Sequence, residues 1–169
     1  MAEVDRFNEA NATFAGGFER GELEVPPARP LVVLTCIDAR LDPARFLGLD
    51  IGDAHVIRNA GGRATDDAIR SLLISSWLLG TREFAVIHHT DCGMTKFTDR
   101  VLRDMIRDQA GVEVDMEFLS FEDPEQSARD DVDAIRGTKG FPDGVTVSGH
   151  VYDVRTGRLR EVVGPTALA

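Results

Sequence analysis

Leu31-Val32-Val33-Leu34-Thr35-Cys36-Ile37-Asp38-Ala39-Arg40 is the stretch on which the fold turns. Its first half is a short, unbroken apolar run rich in β-branched residues, which suits a strand buried on both faces. Its second half changes at once to a thiol, a carboxylate and a guanidinium. The pattern recurs further along, where Glu83-Phe84-Ala85-Val86-Ile87-His88 runs into His89-Thr90-Asp91-Cys92-Gly93. In parallel α/β sheets, ligands bind beyond the carboxyl ends of the strands, where neighbouring loops converge. If these two strands lie side by side, both polar clusters leave the sheet at one edge.

The rest of the chain fits around that pair. Residues 54–57 read as a further strand, though His55 makes it less clean. Thr65 or Asp66 can cap a helix running to Leu79, with Gly80 ending it. Ile69, Leu72, Leu73, Trp77 and Leu78 cover more than a narrow stripe of that helix, so it is expected to be well buried. Helices are also expected over 98–108 and over 124–136, where Pro124 suits a first turn. Residues 145–151 and 159–163, around Thr156-Gly157, look like a terminal hairpin. Near the start, Val4, Phe7, Ala10, Phe14 and Phe18 recur at helical steps over 4–18, ahead of a stiff connection through Pro26, Pro27 and Pro30. That phenylalanine face must dock, either on its own domain or on a second subunit. Alternating strands and helices define an α/β fold: a central, mostly parallel β-sheet with flanking helices and an N-terminal helical arm. One domain is expected over residues 1–169, with the arm and linker at 1–30 and the core at 31–169.

Bulk properties narrow the function. The chain has 169 residues, enough for one hydrophobic core but not for two comfortable ones. A formal net charge of -10 repels phosphate backbones, so nucleic acid is not an expected partner. Ser71 to Gly80 is the longest apolar candidate and falls far short of a membrane span. The first twenty residues lack a basic start leading into an apolar block, so the cytoplasm is the expected location. Two cysteines in such a compartment point to metal binding, catalysis or plain reduced thiols rather than a disulfide framework.

Cys36, His89 and Cys92 together make a three-ligand zinc set, which leaves a coordination position for water. A closed structural site would want four strong protein ligands. The plainer reading of a buried cysteine is a small hydrophobe; what argues otherwise is that both cysteines stand at strand exits and one lies three residues from a histidine. His88 is read as structural, and His55 and His150 as non-ligands. Asp38 and Arg40 project to the same side of an extended exit loop. Asp38 is then a possible fourth ligand, or is held off the metal by the arginine fork. Gly61 and Gly62, after Arg58-Asn59-Ala60, allow backbone to approach a ligand closely, or else make a tight turn. Ile37, Ala39, Met94 and Phe97 are candidate pocket walls.

Cys36-x-Asp38-x-Arg40, Arg58-Asn59-Ala60-Gly61 and His89-x-x-Cys92-Gly93 resemble the β-class carbonic anhydrases in order, spacing and residue type. The compact chain and the His88-to-Met94 motif resemble the small bacterial and archaeal branch, which is also similar to carbonyl sulfide hydrolases. The resemblance implies one Zn2+ per subunit on Cys36, His89 and Cys92, with water or Asp38 fourth. It also implies an Asp38–Arg40 pair in the open form, an antiparallel addition to the sheet, and dimers or multiples of dimers with the arm lying across the partner. The implied activity is reversible hydration of carbon dioxide to bicarbonate and a proton by zinc-bound hydroxide. The alternative within the branch is hydrolysis of carbonyl sulfide to hydrogen sulfide and carbon dioxide. A different class is a non-catalytic zinc or redox-sensing protein, against which Asp38 and Arg40 argue. Two features depart from the family pattern. Position 88 is histidine where many members have glycine, and the substrate-pocket glutamine of larger members has no placed equivalent.

Overall fold

The computed structural model describes residues 2–168. Five strands form one sheet in the order β2-β1-β3-β4-β5. They are β1 (Leu31–Cys36), β2 (His55–Asn59), β3 (Glu83–His89), β4 (Thr146–Tyr152) and β5 (Leu159–Ala167). The first four run parallel, and β5 returns antiparallel beside β4. β1 and β3 are direct neighbours, with Leu31 opposite Glu83 and Thr35 opposite Ile87. Cys36 and His89 therefore leave the sheet at the same edge.

The helices start where local chemistry supplies a cap. Thr65 accepts from the Ala68 N–H to open α3 (Asp66–Leu78), and Thr98 accepts from Val101 N–H to open α4 (Asp99–Ala110). Asp123 with Pro124 does the same for α5 (Pro124–Gly137). α1 (Phe7–Gly16) follows a 3-10 turn at Glu3–Arg6, and Gly17 ends it sooner than the apolar spacing through Phe18 implies. A short helix, α2 (Pro43–Leu47), has no counterpart among the elements expected from periodicity. Asp42 caps it, Pro43 begins it and Gly48 in the left-handed region stops it, but one turn is too short to show a period. β2 extends through Arg58 and Asn59, so both lie inside the strand rather than after it.

The main core joins Val32, Leu34, Phe84, Val86 and Val147 of the strands to Leu72 of α3 and Val132 and Ile135 of α5. Each such side chain contributes about 1.5–3 kcal/mol on burial. α3 is not well buried all round: Ala68, Leu72, Ser75 and Ser76 face the sheet, whereas Trp77 is 62% and Leu78 75% exposed. The sheet-facing stripe uses small residues that let the helix approach closely, and the bulky ones fall on the far side. The Trp77 indole N–H donates to the Gly140 carbonyl at 2.7 Å across that outer face. No residue of α1 is buried, and Phe7, Phe14 and Phe18 all stand exposed.

One glycine sets how closely the second and first strand exits approach. Gly62 has φ +73°, and a Cβ there would lie 2.9 Å from the Thr35 carbonyl carbon and 3.0 Å from the Cys36 nitrogen. All of these contacts are with β1 backbone, which has nothing soft to yield. Gly62→Ala is expected to destabilise the protein by about 2–4 kcal/mol, combining left-handed strain with overpacking. The measurement is the urea midpoint, and an unchanged midpoint would mean that the crossing relaxes.

Candidate metal centre

β1 delivers Cys36 and β3 delivers His89, while the turn after β3 brings Cys92 back beneath them. Their donor atoms lie within 4.8 Å of one another, and all three residues are buried. The sulfurs are 4.0 Å apart. A tetrahedral zinc with bonds of about 2.3 Å spaces two thiolates roughly 3.8 Å apart, so the spacing fits that ion. His89 Nδ1 faces the Thr90 carbonyl at 3.0 Å, which assigns its proton there. Nε2 then carries the lone pair, is buried, and has no hydrogen-bond partner. A buried acceptor aimed at two sulfurs with no donor opposite it is what a cation site requires.

The two thiols are linked electrostatically. Cys36 accepts a hydrogen bond from Cys92, which outweighs the cost of burial and holds Cys36 well below the usual thiol range. The same sharing, followed by burial, pushes Cys92 up. The pair gives up one proton readily and the second only with difficulty, so a dication in place of the shared proton matches the site's charge.

Asp38 stands beside this group, its Oδ2 3.8 Å from His89 Nε2. Arg40 grips the carboxylate in a fork, with Nε on Oδ1 at 2.9 Å and Nη2 on Oδ2 at 2.7 Å. This fork keeps Asp38 ionised far below the ordinary carboxylate range, against the opposing effect of burial. Arg40 is gripped in turn by Asp91, whose carboxylate lies 3.0 Å from Nη1 and whose carbonyl lies 2.9 Å from Nη2. Asp91 sits between the two β3-side donors with φ 52°, a left-handed conformation that aspartate tolerates better than most residues.

A hollow of about 310 Å³ opens over the group. Cys36, Asp38 and Cys92 contribute to it, with Ile37, Ala60, Gly61, Gly93, Met94 and Phe97 as the remaining walls. Ile37, Met94, Phe97 and Gly61 thus fall where the sequence expectation put them. Ala39 and Gly62 lie outside the lining, Gly62 because it packs on the β1 backbone. Gly61 has φ +83°, and a Cβ there would come within 3.1 Å of both Met94 and Phe121. A larger hollow of about 670 Å³ opens around Arg63, Ser127 and the far side of Phe121. None of the three donors lines it.

Behind the pocket, His88 is fully buried and its Nε2 lies 3.0 Å from Asp131 Oδ2. Asp131 also takes the Arg63 Nε–H at 2.8 Å and the Ala64 N–H at 3.1 Å, bracing β3 and the glycine turn against α5. His88 thus packs on Asp131 and is not one of the three grouped donors. His55 meets Ser75 at 2.7 Å and His150 meets Ser148 at 3.0 Å, and neither joins the Cys36 group. Arg58 and Asp91 lie within the quoted motifs but have no role assigned there, and Arg63, Phe121 and Asp131 are not singled out by the sequence. Their partners come from strand register and helix packing, which a single sequence does not display.

The three donors stand together at the strand exits of a mostly parallel sheet, an arrangement suited to a metal-dependent enzyme, and comparison with known proteins identifies the family. A family model described as carbonic anhydrase matches residues 31–119. Beta-carbonic anhydrase 1 of Mycobacterium tuberculosis (strain ATCC 25618 / H37Rv) is 43% identical over 162 residues, covering 96% of this chain and 99% of that protein. A carbon disulfide hydrolase of Acidianus sp. (strain A1-3) is 35% identical over 161 residues, covering 81% of this chain and 79% of that one. The crystal structure of carbonic anhydrase from Streptococcus mutans matches with a TM-score of 0.92 and 43% identity, covering 96% of this chain and 98% of that one. The chain belongs to the β-carbonic anhydrase family.

Proposed function

We propose that this protein is a zinc carbonic anhydrase, converting carbon dioxide and water to bicarbonate and a proton, and the reverse. One observation carries the reading: two thiols and a bare imidazole nitrogen converge under a small apolar hollow, beside a carboxylate held in an arginine fork. Cys36, His89 and Cys92 would hold one zinc per subunit. When bound, the metal supplies a water acidified enough to act as a nucleophile near neutral pH. The remaining work falls to the chain. Thr90 fixes the His89 tautomer through its carbonyl, so that Nε2 stays free of a proton. Asp38, kept ionised by Arg40, is an acceptor only; its Oδ2 would orient the nucleophilic water by accepting a hydrogen bond from it. Ile37, Met94 and Phe97 offer apolar walls suited to a small, linear, uncharged substrate and poor at retaining bicarbonate.

Carbonyl sulfide is the second reading, favoured by the carbon disulfide hydrolase relative. Its hydrolysis to hydrogen sulfide and carbon dioxide would use the same groups on a longer molecule of the same class. Both activities are to be measured on one zinc-loaded sample. Carbon dioxide hydration is expected to dominate; strong sulfide release with negligible hydration would reverse the assignment.

Two further features belong to this proposal. The exposed phenylalanines of α1 and the exposed Ile74, Trp77 and Leu78 of α3 support a homodimer or a multiple of dimers. A ten-residue helix with nothing covering its apolar face is not stable by itself in water. The reduced thiols that the site needs support a cytoplasmic location, and the -10 charge supports a small-molecule substrate over nucleic acid. No helix among the described residues is long and apolar enough to cross a membrane.

A further inference from the structure

Asp38 is held at both ends. Its carboxylate is in the Arg40 fork, and the Arg40 backbone N–H also donates to Oδ1 at 2.9 Å. Its carbonyl accepts from the Leu41 N–H at 3.0 Å and from Arg58 Nη2 at 2.7 Å. The same guanidinium reaches two residues further back, where Arg58 Nε donates to the Cys36 carbonyl at 2.9 Å. Among the described residues Arg58 has no carboxylate within ion-pair distance, so its fork is committed to these two carbonyls.

The position of Arg58 explains why it can do this. It lies on β2 opposite Thr35 of β1, one residue before the strands part. The last ladder bond between them runs from the Ile37 N–H to the Asn59 carbonyl at 3.0 Å. Beyond that point the β1 exit has no strand partner on this side, and the arginine fork takes over. Two divergent N–H groups on a rigid plane can bridge carbonyls two residues apart, which a lysine ammonium on its flexible stem cannot do with the same geometry.

Asp38 needs that restraint, because its Oδ2 is only 3.8 Å from the metal-facing nitrogen of His89. A small rotation of the Cys36–Asp38 peptides would carry the carboxylate into the fourth coordination position. We infer that Arg58 is a positioning residue for the reaction: by gripping the Cys36 and Asp38 carbonyls, it keeps the Asp38 carboxylate with Arg40 and off the metal. Arg58 touches neither substrate nor metal. The inference rests on the zinc assignment above and adds a residue that acts through the backbone.

The test uses the full chain loaded with cobalt(II), whose visible absorption reports the metal's ligands, alongside the zinc form. The variants are Arg58→Gln, Arg58→Lys and the double variant Arg58→Gln/Asp38→Asn. Arg58→Gln is expected to lower kcat by about 10–100-fold with KM changed far less, the scale of a misplacement of roughly 1 Å. Its cobalt spectrum should shift from that of the unaltered protein, and its zinc should pass to a chelator more slowly, since a carboxylate has been added. Both changes should vanish in the double variant, and Arg58→Lys should fall between. An unshifted cobalt spectrum in Arg58→Gln overturns the inference even if kcat falls, because lost activity alone would fit a merely structural role. A shift that persists in the double variant overturns it too. If Arg58→Gln does not fold, Arg58→Lys against Arg58→Lys/Asp38→Asn decides by the same two criteria. The spectrum and the chelator rate need no turnover, so a failure of carbon dioxide hydration in the unaltered protein would count against the proposed activity and leave this test intact.

Discussion

Cys36→Ser is expected to fold but to leave purification without its metal, with zinc affinity lower by two to three orders of magnitude. Structural zinc binding of about 10–16 kcal/mol shared over four ligands gives roughly 2.5–4 kcal/mol for each, which is about that factor. Serine nearly matches the volume of cysteine, so the buried position after β1 is filled and the hydrogen bonds to the Cys36 carbonyl and to Ile37 persist. What disappears is a sulfur that ionises readily and sits 4.0 Å from Cys92. A serine hydroxyl keeps its proton and makes a poor ligand. Elemental analysis of fresh protein and competition against a chelator provide the measurement, with circular dichroism confirming the fold. Full metal content in Cys36→Ser would remove this residue from the centre, and with it the proposed activity.

Asp38→Asn should give the opposite pattern, with the metal retained and kcat lower by about 10²–10³-fold, the range for losing one group that orients the reacting species. The amide has nearly the shape of the carboxylate and can still meet one arm of Arg40. It is neutral, however, and it presents an N–H₂ where an acceptor is needed. The arginine fork that holds Asp38 ionised would then face a group with no charge to stabilise. Zinc content equal to the unaltered protein, together with a collapse in turnover, separates this role from that of Cys36. Turnover within twofold of the unaltered protein would take Asp38 out of the mechanism, leaving it a loop ion pair.

How far these assignments could be reached without coordinates varies with the kind of contact. The run from Leu31 to Thr35 and the one from Glu83 to His88 announce buried strands, and their shared direction follows from the α/β pattern. That they are adjacent is a matter of sheet order, which the motifs suggested and the β1/β3 register bears out. The helix caps at Thr65, Thr98 and Asp123 are local chemistry and can be read directly. α3 was harder, because Leu72 and Trp77 are both apolar and only packing decides which one faces the sheet. Least legible were the side chains that act from a distance. Asp131 lies far along the chain from His88 and Arg63, and nothing in its surroundings on α5 marks it as their partner. Arg58 belongs to a motif, yet its grip on two carbonyls depends on the offset between β1 and β2.

The order of strands across the sheet also has a consequence for biosynthesis. Cys36, His89 and Cys92 all leave the ribosome before Thr146–Tyr152, the segment that pairs along the outer side of β3. Until that segment arrives, the strand bearing the imidazole has one bare edge and little to hold its register. Capture of a metal that needs the native register of β3 would therefore wait on a part of the polypeptide that contributes none of the three donors.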